Sequence, residues 1–251
     1  MTVLAIVLAA VALIDGAAAA APNERCDVPD SFLSSDNDLT SATNQVKGQQ
    51  RLDISVIGTG SSALPGPDGA AFAYPARLEQ ALSHELRGVS VKVTAHVEAR
   101  AATADMVPGL AKILADDKPS LVIWQTGTVD AMNGVAPEDF RVNLDDGVTA
   151  IENAGANVIL MNMQYSPRTE SMLDVGPLAD IMRIVAQQHG ALLFDRLGIM
   201  RNWNDAGTFD LYTATKNYDM ARRVHDCIGW ALATQIIAAG HLGAIRIQTT
   251  R

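Results

Sequence analysis

Two adjacent serines, Ser61 and Ser62, sit in the stretch ISVIGTGSSALPG (54–66), where a β-branched run breaks into glycines. A serine on a turn from a strand into a helix presents its hydroxyl at a pocket mouth. Helix N-terminal N–H groups beside it favour developing negative charge, the setting for a nucleophile. The competing reading is a glycine-serine loop whose hydroxyls cap backbone groups. A serine hydroxyl is also a weak nucleophile without a base to take its proton. The chain has five histidines: His84, His96, His189, His225 and His241. His225 lies within a C-terminal helical run, beside the apolar stripe of Met220, Val224, Cys227, Ile228 and Ala231. That is the position of a structural histidine as much as of a base. His96 falls near the end of a strand, on its polar face. The other three fall on helix surfaces or termini.

The elements that must position these residues alternate. LDISVIG (52–58) reads as a buried strand, and AYPARLEQALSHEL (73–86) as a helix with Pro75 in its first turn. VSVKVTAHVE (89–98) alternates strictly, as a strand covered mainly on one side near a sheet edge does. TADMVPGLAKILADD (103–117) reads as a helix weakened by Pro108 and Gly109, and SLVIWQTG (120–127) as a central strand. Helix 136–155, strand 157–165, helix 178–190, strand 191–195 and a long helix over 219–240 follow. Gly229 inside the last helix is tolerated at some cost. The order βαβαβαβαβα predicts a three-layer α/β/α sandwich around a five-stranded parallel sheet, flavodoxin-like in type. Ligands of such folds bind outside the carboxyl ends of the strands. The segments to inspect there are GTGSS, EARAAT (98–103), QTGTVDAMNG (125–134) and QYSPRT (164–169), which offers Gln164, Tyr165 and Arg168.

In these blocks the chain resembles the SGNH/GDSL hydrolases, a flavodoxin-like α/β/α family that includes esterases, lipases and carbohydrate deacetylases. The family's Gly-Asp-Ser turn corresponds to GTGSSALPG. Ser61 matches the nucleophile if the turn carries one extra residue, and Ser62 matches it if Gly60 is aligned with the family glycine. An ungapped alignment from Gly58 puts Gly60 itself there, with no hydroxyl. The second block supplies an oxyanion-hole glycine; here VEARAAT has none, leaving the main-chain N–H of Ala99 or Arg100. The third block, Gly-x-Asn-Asp, becomes GTVD, keeping Gly127 and Asp130 with Val129 in the asparagine position. Thr128 or Gln125 are side-chain substitutes for that lost donor. In the last block, Asp-x-x-His, Asp210 is present and Thr213 replaces the histidine. His225 is then the base with the best claim, and Glu98, Arg100 and Asp130 are charged groups that could line the pocket. The resemblance implies a serine ester hydrolase acting on acyl or acetyl esters, carbohydrate-linked ones included. The combined substitutions imply an alternative: a catalytically degenerate domain that binds a glycan or acylated envelope component.

The bulk composition narrows partners and location. The formal charge is −9, and no Lys/Arg cluster occurs, which argues against nucleic acid. No His/Cys grouping has zinc spacing, so neither a metal nor another cofactor is expected. Residues 1–21 read as a signal peptide, apolar and ending in small residues, with an N-terminal membrane anchor as the other reading. Residues 22–50 are then an N-terminal extension and 51–245 the hydrolase-like domain, exported to a periplasmic or extracellular space with no stable membrane span after cleavage. In an exported protein the two cysteines, Cys26 and Cys227, suggest one disulfide joining the mature N-terminus to the last helix.

Overall fold

The computed structural model describes residues 26–213 and 217–244; segment 1–21, expected from the sequence to be a signal peptide, lies outside the described residues. Five parallel strands form one sheet in the order β2-β1-β3-β4-β5: β1 Arg51–Gly58, β2 Ser90–Val97, β3 Leu121–Gln125, β4 Asn157–Met161 and β5 Leu192–Phe194. The central strands carry apolar runs, Val56–Ile57 in β1, Leu121–Trp124 in β3 and Val158–Met161 in β4, because helices cover both faces of a parallel sheet, and β3 is buried at every position. β2 is an edge strand, as its alternation anticipates, but the covered face changes at Val93–Thr94. Val91 and Val93 are half-buried, whereas beyond them Thr94 and His96 are half-buried and Ala95 and Val97 are exposed, His96 being drawn in by its bond to Asp117.

The helices are α1 Asp30–Leu33, α2 Thr40–Gln49, α3 Gly69–Phe72, α4 Tyr74–Glu85, α5 Thr103–Asp117, α6 Thr128–Asn133, α7 Pro137–Asn153, α8 Pro167–Met172, α9 Gly176–His189, α10 Arg196–Asp205 and α11 Asp219–Ala239. The helices α5, α7 and α9 pack side by side, while α4 packs against α11. Gly229 has a packing reason: a Cβ there would stand 2.6 Å from the Arg77 Cβ and 2.9 Å from the α4 backbone, so glycine lets α11 approach α4 closely. Pro108 sits inside α5 without ending it.

α2 lies at the amino ends of the strands. The Gln45 side chain accepts from the Asp53 N–H and from Ser120 Oγ, and donates to the Asp53 carboxylate. The Ser41 and Ala42 N–H groups, in the first turn of α2, donate to Asn157 Oδ1 at the start of β4. Cys26 and Cys227 form a disulfide, tying the start of the described chain to α11. No helix among the described residues is long and apolar enough to cross a membrane.

Candidate active site

The turn after β1 is a single 3-10 turn, Gly60–Ser62, and it separates the two serines. Ser62 is 1 % exposed; its Oγ lies 2.9 Å from both Gln125 Oε1 and the Tyr74 hydroxyl. Gln125 Oε1 also accepts from the Thr59 N–H (3.0 Å) and Thr59 Oγ1 (3.2 Å). This side chain therefore stitches the loop after β1 to the end of β3, across the point where the strand order reverses. Gly58 is needed at this stitch, since a Cβ there would meet Ser62 Oγ at 2.3 Å. Burial pushes the Tyr74 hydroxyl up to about 12, against the smaller opposing effects of its bond to Ser62 and the charge of Arg196.

Ser61 is half-buried and turns the other way. Among the described residues its Oγ has two polar neighbours, Arg196 Nη2 at 3.3 Å and Thr59 Oγ1 at 3.5 Å, and Arg196 Nη1 lies 3.4 Å from the Ser61 carbonyl. Neither neighbour of the hydroxyl is a base. A guanidinium favours an alkoxide electrostatically but has no lone pair to take its proton.

Arg196 opens α10, and the residues around it explain its placement. Asp195 is the N-cap, its carboxylate accepting from the Gly198 N–H (3.0 Å) and Asn162 Nδ2 (2.6 Å), while Asn162 Oδ1 accepts from the Leu197 N–H (2.9 Å). The helix start is thus clamped to the end of β4. The Arg196 side chain is held in the interior, 1 % exposed, and borders a cleft of about 230 Å³. Burial lowers its guanidinium to about 10, still charged at neutral pH.

Of the residues expected at the site, Gln164, Tyr165, Asp210 and His225 line this cleft together with Arg196, and Ser61 adjoins it through Arg196. Thr213, read from the sequence as standing where the family has its histidine, lines it as well. The Asp210 carboxylate accepts from the Tyr212 and Thr213 N–H groups, both at 3.0 Å; the Thr213 side chain first, then these N–H groups, hold it below the usual carboxylate range. His225 is buried on α11, and its Nδ1 accepts from the Tyr74 N–H at 3.0 Å. The neutral ring then carries its proton on Nε2. Burial, with the Arg196 charge, lowers its pKa to about 4, so the ring is neutral at pH 7.

The other expected residues lie outside the cleft lining. Gly60 is exposed, and Ala99 and the exposed Arg100, at φ 66°, form the turn after β2. Gly127, at φ 92°, and the buried Thr128 begin α6. Asp130 is 1 % exposed and spends its carboxylate on the N–H and hydroxyl of Thr103 at the start of α5 (3.0 Å each). The remaining histidines each face a carboxylate elsewhere: His84 with Glu85, His96 with Asp117, His189 with Asp145 and Glu152, His241 with Asp38. Arg196 itself is absent from the sequence expectations. Its signal is a position directly after the fifth strand, the one strand end whose loop the expectations above leave out.

The comparisons with known proteins agree with this architecture. The non-GDSL lipase-like family matches residues 25–242. Esterase TesA of Pseudomonas aeruginosa is 30 % identical over 129 residues, which is 51 % of this chain and 61 % of TesA, so the match spans less than two thirds of that relative. An acetylxylan esterase, Axe2 of Geobacillus stearothermophilus, superposes with a TM-score of 0.56 at 13 % identity, covering 75 % of this chain and 94 % of Axe2. A lipase/acylhydrolase from Enterococcus faecalis gives 0.52 at 18 % identity, covering 69 % of this chain and 93 % of that one. At such identities the two structures speak for the fold alone. With a family match over most of its length and a parallel sheet in the flavodoxin order, the chain belongs to the non-GDSL lipase-like family of the SGNH/GDSL hydrolase fold.

Proposed function

We propose that this chain is a ligand-binding member of the SGNH/GDSL lineage, in which Ser61 does not act as a nucleophile. The observation that carries this reading is the surroundings of Ser61 Oγ: a guanidinium nitrogen and a threonine hydroxyl, with no imidazole or carboxylate in hydrogen-bond reach among the described residues. General-base assistance contributes about 10²–10⁴ in rate. His225 does not offer it in this arrangement, because its Nδ1 lone pair is taken by the Tyr74 N–H and its other nitrogen bears the proton. Val129 and Thr213, where the family has its asparagine and histidine, support the same reading. The ligand class that fits the lineage is an acylated or carbohydrate-linked envelope component. The Cys26–Cys227 disulfide supports an exported location, where disulfides persist.

The relation to TesA favours a second reading, an ester hydrolase in which Ser61 attacks an acyl ester with main-chain donors near Ala99 and Gly127. One assay separates the two. The mature chain and its Ser61→Ala variant are compared on p-nitrophenyl acetate and butyrate at pH 7 to 9. Equal rates in both, at the buffer background, are expected. Turnover that disappears in Ser61→Ala would establish the hydrolase and end the binding reading.

A further inference from the structure

Arg196 is a buried cation with no counter-ion among the described residues. Among the described residues it forms no ion pair; the adjacent Asp195 carboxylate is occupied by Asn162 and the Gly198 N–H. Its two hydrogen bonds, both to Ser61, are long at 3.3 and 3.4 Å, and its Nε–H has no partner. A guanidinium carries five N–H donors and stays charged at neutral pH, so this one keeps unused donors in a desolvated place. Leaving a charge buried without compensation costs several kcal/mol, and such groups are ordinarily paired. The side chain borders a cleft rather than a closed core, so a partner can come from outside.

The rest of the cleft limits what that partner is. Met200, Met220, Val224 and Ile228 make much of its wall apolar. The carboxylate that does line it, Asp210, turns its oxygen to backbone N–H groups of its own loop and forms no ion pair with Arg196 among the described residues. Arg168 and Arg223 stack on Tyr212 and Phe209, the residues flanking Asp210 and Leu211 on the cleft wall, at 5.2 Å each. Two further arginines therefore lie beside this wall, along with the Glu170 and Asp205 carboxylates that act on Tyr165. The cavity of about 230 Å³ falls below the roughly 300–1,000 Å³ of pockets for drug-sized ligands, so the occupant is small.

We propose that the cleft binds a small organic carboxylate with a short apolar body, Arg196 being its counter-ion. A carboxylate matches the planar fork of the guanidinium, and the aliphatic part covers the methionine and branched side chains. A bare inorganic anion would satisfy the charge and leave the apolar wall wet. This rests on the binding reading above for its biological role and puts a small carboxylic acid in place of the envelope component named there.

The test uses hexanoate as probe, with hexanamide as its uncharged counterpart and inorganic phosphate as an anion without an apolar body. Calorimetry and thermal melts are run on the disulfide-bonded mature chain and on Arg196→Met, which keeps most of the volume and removes the charge. Hexanoate is expected to bind saturably and raise the melting temperature with concentration, at least tenfold more tightly than hexanamide or phosphate. Arg196→Met is expected to bind hexanoate at least tenfold more weakly while melting, without ligand, no lower than the parent. Undiminished binding by Arg196→Met, equal binding of hexanamide, or no binding by the parent overturns the proposal. Phosphate binding as tight as hexanoate overturns the apolar-body part. Should Arg196→Met not fold, Arg196→Lys keeps the charge and loses the fork, and the same tenfold weakening is expected; unchanged affinity there counts against the proposal. Ester cleavage lost in Ser61→Ala would end the binding reading and leave the hexanoate result untouched. Failure to bind hexanoate, with no cleavage, would remove this ligand class and leave the binding reading in place.

Discussion

His225 is kept neutral inside the fold at a measurable cost in acid. In the unfolded chain the ring titrates near 6.5, whereas burial and the Arg196 charge bring the folded value to about 4. Between those values the unfolded chain binds a proton that the folded one refuses. Stability therefore falls as pH drops through this window, by about 3 kcal/mol once pH 4 is reached. Asp117 and Asp210, both held below the usual carboxylate range in the fold, lose stabilisation in acid as well, so the histidine must be isolated by difference. His189 works the other way. Burial opposes its protonation, but Asp145 and Glu152 outweigh that and raise its pKa, so its stabilisation is present in acid and lost as pH rises through the folded value. In His225→Asn the amide oxygen can still accept from the Tyr74 N–H. Urea titrations at pH 7.5, 5.5 and 4 should show a smaller acid loss for the variant than for the parent. Equal losses would mean the ring protonates in the folded state without penalty.

At the level of elements, α11 joins the site to the chain's beginning, since Cys227 lies two residues beyond His225 and is bonded to Cys26. The bridge spans 201 residues, a separation for which chain-entropy arguments give stabilisation of about 2–5 kcal/mol. Cys26→Ser with Cys227→Ser should lower the urea midpoint accordingly, and reduction should do the same to the parent while leaving the double variant unchanged. The strands and principal helices are legible from sequence because their periodicities are local, and β2 declares itself an edge by strict alternation. The disulfide follows from there being only two cysteines. The fate of the two serines is not legible. Ser62 is turned inward by Gln125, 63 residues on, and Ser61 is met by Arg196, 135 residues on. The helix that carries Arg196 also escapes the pattern, because RLGIMRNWND is short, follows β5 with only Asp195 between, and has a glycine in its first turn. What starts it is the Asp195 cap and its clamp to Asn162, a tertiary contact that periodicity does not report.

Over the whole molecule the two ends of the sheet have different work. The carboxyl ends of the strands hold the cleft, with Ser61, Arg196 and the loop after β4 around it. At the amino ends, α2 binds β1, the residue before β3, and β4 together through Gln45 and through the Asn157 side chain. Leu39, Ala42 and Val46 are buried there as part of the main core. We therefore propose that residues 26–50 belong to the folding unit itself, in keeping with a family match that begins at residue 25. Burial of a leucine or valine side chain is worth about 1.5–3 kcal/mol, and the hydrogen bonds of Gln45 and Asn157 add about 1 kcal/mol each. Their sum, with the disulfide, is comparable to the roughly 5–15 kcal/mol that holds a domain together. A chain beginning at Gln50 should therefore lose cooperative thermal unfolding by circular dichroism. The Cys26→Ser/Cys227→Ser double variant, which lacks the bridge but keeps α2, should retain a sharp transition at lower temperature. A cooperative melt of the shortened chain within a few degrees of that variant's would show that α2 only decorates a self-sufficient sheet.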